Sequence, residues 1–164
     1  MSNFSLPVIA ATRKCGSCSK CCEGWLEATI FDKKMHSGQP CFFLEKGEGG
    51  CTIYADRPKN PCVDYTCAWL DEPETFPAWL KPNLSNIIIT KKTIDGTDLK
   101  YYEIVEAGAR LDTAVLQWIF MWALKTQTSI MYELDGKFHT MATPQLDAAI
   151  AAAITEKNQK HRII

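Results

Sequence analysis

The sequence predicts an α+β fold: a small antiparallel sheet with two principal helices, joined to a cysteine-rich N-terminal part of short helices and loops. Three observations carry that expectation. Two strand pairs with hairpin turns lie between Asn86 and Met141, a long apolar run separates them and an alanine-rich run follows, and every cysteine falls within the first 67 residues. At 164 residues, 46% hydrophobic and 23% charged, the chain has enough apolar material for a core. Residues 1–75 are expected to form the cysteine-rich region and residues 76–164 an α+β region packed against it as one compact unit.

The first half is broken too often for long regular elements. Gly16, Gly24, Gly38, Gly47, Gly49 and Gly50, with Pro40, Pro58 and Pro61, punctuate it. Short helical segments fit only Cys15 to Leu26 and Pro61 to Leu70. Asp71 to Pro82 is a turn-rich bridge, anchored by Phe76, Trp79 and Leu80. Asn86 to Lys92 and Leu99 to Glu106 are rich in β-branched and aromatic residues and flank Thr93 to Asp98, a turn segment containing Asp95-Gly96. They read as a β-hairpin.

Arg110 to Thr126 is apolar on most of its circumference, which suits a helix buried on several sides, with Trp118, Phe120, Met121 and Trp122 in the core. Thr128 to Glu133 and Lys137 to Met141, joined through Leu134-Asp135-Gly136, make a second hairpin. Thr143 as N-cap and Pro144 at the first helical position then open a terminal helix whose body is Leu146 to Lys157.

Charge and hydropathy narrow the function classes. Eighteen Lys and Arg against nineteen Asp and Glu leave a net charge of −1, without the basic footprint of a sequence-independent nucleic-acid binder. Ala114 to Leu124, the longest strongly apolar stretch, is far shorter than the roughly 20 residues that cross a bilayer. The N-terminus lacks the basic flank and long apolar run of a secretory signal, so a cytoplasmic location is expected. No nucleic-acid or membrane partner is expected, and no protein partner is legible.

Eight cysteines in a chain of this kind need a local chemical reason. They are Cys15, Cys18, Cys21, Cys22, Cys41, Cys51, Cys62 and Cys67. Disulfides replace a missing core in small exported proteins, whereas metal or cluster ligation suits a chain with its own core in a reducing compartment. Two residues between cysteines let both sulfurs reach one metal, and Cys15 to Cys22 takes that step twice before a fourth thiol follows directly. On a helix, Cys15, Cys18 and Cys22 would share one face with Cys21 beside them.

The second group is open, with intervals of 10, 11 and 5 residues, and turn signals precede Cys41, Cys51 and Cys62. Four thiolates per tetrahedral metal would use all eight in two sites. The sites need not follow the sequential groups, because interleaved ligation suits the spacing equally well. Zinc is the favoured ion, with iron or a [4Fe-4S] cluster as the alternative. A ferredoxin run places its next cysteine three residues on, before proline, whereas Cys22 follows Cys21 at once and Glu23 comes next.

Cys15-Gly-Ser-Cys18-Ser-Lys-Cys21-Cys22, then Cys41-Phe-Phe-Leu44, then Gly50-Cys51-Thr-Ile-Tyr54-Ala-Asp56-Arg57-Pro58, then Cys62 and Cys67, resembles the YkgJ-type CxxCxxCC family. Members are described as zinc- or iron-chelating domains, so the resemblance implies metal ligation by all eight cysteines. It covers Cys15 to Cys67. The chain departs from the family pattern at Arg57-Pro58-Lys59-Asn60-Pro61-Cys62-Val63, which has one extra residue and no arginine after the cysteine. The cluster is also similar to the cysteine region of flagellin lysine methylases, larger enzymes that use S-adenosylmethionine. That implies an alternative function as an iron-sulfur-dependent, methyltransferase-related enzyme, against which stands the lack of a G-x-G-x-x-G loop after a strand.

Among other candidates, His36 lies between the cysteine groups and could replace one thiolate, while His139 and His161 are expected to have no chemical role. Arg13, Lys14 and Lys20 flank the first cysteines, where cations lower thiol pKa values. Asp56-Arg57 reads as structural, with Arg57 bridging to carbonyls or carboxylates near the metal. No paired carboxylates, nucleophile motif or nucleotide loop marks an enzyme, so a metal-binding protein, its metals structural or handled for delivery, is the expected function.

Overall fold

The computed structural model describes residues 13–45, 50–94, 98–108 and 111–142, with Pro144 and Ala148 beyond them. The fold is α+β. Strands β1 (Ala28–Ile30) and β2 (Lys33–Met35) form a small antiparallel ribbon. Strands β3 (Ile87–Thr93), β4 (Lys100–Glu106), β5 (Ile130–Leu134) and β6 (Lys137–Met141) form a sheet in that order. Three helices are described: α1 (Ala68–Asp71), α2 (Pro82–Ser85) and α3 (Thr113–Thr126). Of the expected terminal helix, Leu146 to Lys157, only Ala148 is described, and it is helical, as is Pro144 before it.

Both expected hairpins are present. In the first, Ile87 faces Glu106 and Thr93 faces Lys100. In the second, Asp135 and Gly136 take positive φ values of 52° and 71°, the backbone twist that a two-residue hairpin turn requires. The sheet is not antiparallel throughout, as the sequence led one to expect: β4 and β5 run parallel, Tyr102 facing Ile130. α3 makes the crossover between them, and its return carries the chain back in the direction of β4.

Alternation along β4 sorts the two faces. Tyr102 and Ile104 join Ile87, Ile89, Phe76, Leu80, Ile130 and the α3 residues Val115, Ile119 and Ala123 in the main core. Tyr101 and Val105 point the other way, against Met131 and Phe138. The expectation for α3 therefore needs correcting. Only one stripe of it is buried, and Met121 and Leu124 are exposed at 61% and 62%. Trp118, Phe120 and Trp122 are half-buried along the edge of the core. A helix covering one face of a four-stranded sheet has only one side to bury, however apolar the others are. Asp112 caps it, its carboxylate accepting from Ala114 N at 2.7 Å.

The bridge behaves as anchors. Phe76 and Leu80 are fully buried, and the Phe76 ring lies 5.7 Å from that of Tyr102 and 5.0 Å from that of Trp122. Trp79, the third expected anchor, is 43% exposed, edge-on to Trp118. The cysteine-bearing half is tied to the same core through Cys67, Ala68 and Trp69. Arg13 adds a clasp, donating to the carbonyls of Trp69, Pro73 and Phe76.

Candidate metal centre

Neither expected helical segment in the cysteine region forms at the length proposed. Cys15 to Leu26 holds a single 3-10 turn, Lys20–Cys22, and Pro61 to Leu70 divides into a turn over Lys59–Val63 and the four residues of α1. Glycines at positive φ explain the first failure: Gly16 stands at 57° and Gly24 at 89°. Cys15, Cys18 and Cys22 consequently do not share a helix face. The short turn sends Cys21 and its neighbour Cys22 into different surroundings.

Cys22 meets the second half of the cysteine series. Its carbonyl accepts from Cys41 N at 2.8 Å, and Cys41 O in turn accepts from Leu44 N, whose bridge partner is Cys51. Cys22 and Cys62 pack with buried Cys41 against Ile30 and Met35 of the small ribbon. Gly24 permits this approach, since a Cβ there would lie 2.8 Å from His36 O and 2.9 Å from Gln39 O. Burial, with the neighbouring charges of Cys41, Cys51 and Cys62 and, last among them, Cys15, pushes the Cys22 thiol up to about 11. Burial also raises Cys62, again with Cys41 and Cys51 as the adjacent thiols.

Cys21 faces the other way. Burial raises its thiol well above the ordinary range, and Cys67 is its strongest charged neighbour, ahead of Cys22, Cys18 and Cys15. Cys67 is raised by burial and by Cys15 and Cys18, while the Leu70 N–H opposes the rise. Cys15, the exposed member, is raised by burial and Cys18 against the pull of Lys81 and Arg57. All eight thiols are free. Among the described residues, no three or more His, Cys, Asp or Glu side chains converge into a geometry that could hold a metal ion as they stand. The thiols are within electrostatic reach of one another but not in ligand positions.

Of three side chains around the thiols, Tyr65 and Lys81 were not assigned this place from the sequence, whereas Arg57 was expected to bridge to carbonyls or carboxylates there. Tyr65 is hydrogen-bonded to Thr90 of β3 at 2.9 Å and lies beside the Cys21 thiol, linking the thiols to the sheet. Burial, followed by the charge of Cys21, raises its phenol, which stays protonated and able to donate. Lys81 acts on Cys15 from the far side of the bridge. Arg57 lies over the Tyr54 ring at 3.7 Å and donates to Tyr54 O at 3.0 Å. Its charge acts on both Cys15 and Cys62, and its buried Nε has no hydrogen-bond partner among the described residues.

Of the three flanking cations, which could serve the thiols or be ordinary solvated charges, Arg13 and Lys20 have other partners. Arg13 clasps the bridge, and Lys20 pairs with Glu23 at 2.8 Å. Burial alone would raise Glu23, but hydrogen bonds from Lys20 and Ser19 outweigh it and hold the carboxyl below its usual range. His36 contacts the carbonyl of Ser37 at 2.9 Å, and His139 stacks on Tyr132. His161 lies outside the described residues. No described helix is long and apolar enough to cross a membrane. No protein-family model, curated protein or solved structure matches the chain.

Proposed function

We propose that this chain is a metal-binding protein whose eight cysteines coordinate zinc, or iron in its place, with the metals structural or handled for delivery. The observation that carries the reading is the crowding of free thiols. Burial first, and neighbouring thiols after it, raise Cys15, Cys21, Cys22, Cys62 and Cys67, so in the metal-free chain these five do not ionise cheaply. A divalent ion reverses that penalty, since it binds the thiolate and attracts what the neighbouring thiolates repel.

Resemblance to zinc- and iron-chelating domains in the ordered cysteine motifs supports the same reading. Zinc suits an all-thiolate donor set with no open position, and it needs no redox partner. The test is elemental mass spectrometry and visible absorption of anaerobically purified protein. Near-integer zinc without colour is the expected result. Brown colour with matching iron and sulfide would favour the iron-sulfur enzyme, and less than about half an equivalent of any transition metal would overturn metal binding altogether.

A further inference from the structure

We infer that the eight thiols serve two four-cysteine sites that interleave along the chain: Cys15, Cys18, Cys21 and Cys67 in one, Cys22, Cys41, Cys51 and Cys62 in the other. This rests on the metal-binding reading and adds to it the identity of the sites. The obvious division by position would keep Cys15 to Cys22 together and leave Cys41 to Cys67 as a second set. The packing separates them otherwise.

Cys22 shares a backbone hydrogen bond of 2.8 Å with Cys41 and a packed cluster with Cys41 and Cys62, while the Leu44–Cys51 bridge brings in the fourth member. Cys67 is not a member of that cluster: it belongs to the main core with Ala68 and Trp69. Its neighbouring thiols are Cys15, Cys18 and Cys21. Tyr65, two residues before it, reaches the Cys21 side chain from an anchor on β3. The peptide joining Cys21 to Cys22 is therefore the boundary between the sites.

Charge supports the same arrangement. A divalent ion with four thiolates carries a net charge near −2, and two such sites side by side need cations between them. Arg57 is placed for both, acting on Cys15 of one set and Cys62 of the other, with a buried N–H that has no acceptor among the described residues. Lys81 acts on Cys15 in the first set.

Two double variants, compared with wild type by elemental mass spectrometry, test the partition. Cys18→Ser with Cys67→Ser, and Cys22→Ser with Cys41→Ser, each fall within one proposed set but straddle both sequential groups. Each variant should lose about one of roughly two metal equivalents and keep the other. Loss of both metals from each would overturn the interleaving and leave metal binding intact, as would a wild type holding a single equivalent. A wild type without metal would overturn both.

Wild-type protein partly stripped by a chelator and alkylated before unfolding covers the case in which a variant does not fold. Molecules carrying four labels should have them on one proposed set. Labels gathered on Cys15, Cys18, Cys21 and Cys22 would refute it.

Discussion

A guanidinium with a buried, unpartnered N–H beside free thiols has a consequence for binding. In the metal-free chain Arg57 is held by Tyr54, and its buried Nε–H has no acceptor among the described residues. A metal-bound thiolate would supply one, and charge-assisted hydrogen bonds are about twice as strong as neutral ones. Arg57→Met should therefore weaken metal affinity at both sites by about 10- to 100-fold, the usual cost of losing a group that supports metal ligands. Lys81→Met should weaken only the site that includes Cys15, whose thiol its charge reaches. Competition against a chromophoric chelator, resolving two binding steps, measures both. Equal losses from the two variants would mean that the cations act only through overall charge.

Among the elements, α3 offers the cleanest separation of fold from metal. Its N-cap carboxylate, Asp112, is exposed and accepts from Ala114 N, and capping side chains contribute about 1 kcal/mol. Asp112→Ala should lower the urea midpoint accordingly and leave metal content unchanged. How far the elements were legible follows from where their determinants lie. The β5–β6 hairpin announces itself because Asp135-Gly136 is the kind of pair that accepts positive φ at both positions. The β1–β2 ribbon gives no such sign, because Phe31 and Asp32 turn it with φ of 44° and 66°. A phenylalanine there is held by its surroundings, its ring edge-on to Phe43 at 6.0 Å. The parallel β4–β5 junction is set by how α3 packs, which no local pattern encodes. The same limit hid the thiol partition: spacing put Cys15, Cys18 and Cys22 on one helix face, and the glycines that end the helix decide otherwise. Tyr65 meets Cys21, and Lys81 meets Cys15, through tertiary contacts that no local pattern encodes.

Over the whole molecule, the two halves should differ in what they owe to metal. Before Asp71 the described chain has only a ribbon of two three-residue strands, short turns and the start of α1, and ordering it costs roughly 1–2 kcal/mol of backbone entropy per residue. Bound structural zinc contributes roughly 10 kcal/mol or more in small domains. Chelation should release hydrogen-exchange protection across Cys15 to Cys67 while β3 to β6 and α3 keep theirs. Equal protection in verified metal-free and loaded protein would mean that the metals are cargo. The pH response should invert between the two forms. In metal-free protein Cys22 is raised to about 11 from an ordinary 9.0, so the folded state holds its proton more tightly than the unfolded one. Stability from that group is complete below pH 9 and lost as pH rises toward 11, which urea midpoints across that range would register. Loaded protein holds thiolates, so it should lose stability as pH falls, when protons displace the metal.

Cys67 packs in a cluster whose farthest described member along the chain is Ile130, 63 residues on. A ribosome adding about 5–20 residues per second completes that cluster roughly 3–13 seconds after Cys67 has been made. All eight thiols are synthesised before the hydrophobic wall behind Cys67 exists. Nascent chains in an oxidising medium could then form disulfides across the two sets before the core is present to sort them. A reducing medium, or metal captured during translation, keeps that interval harmless.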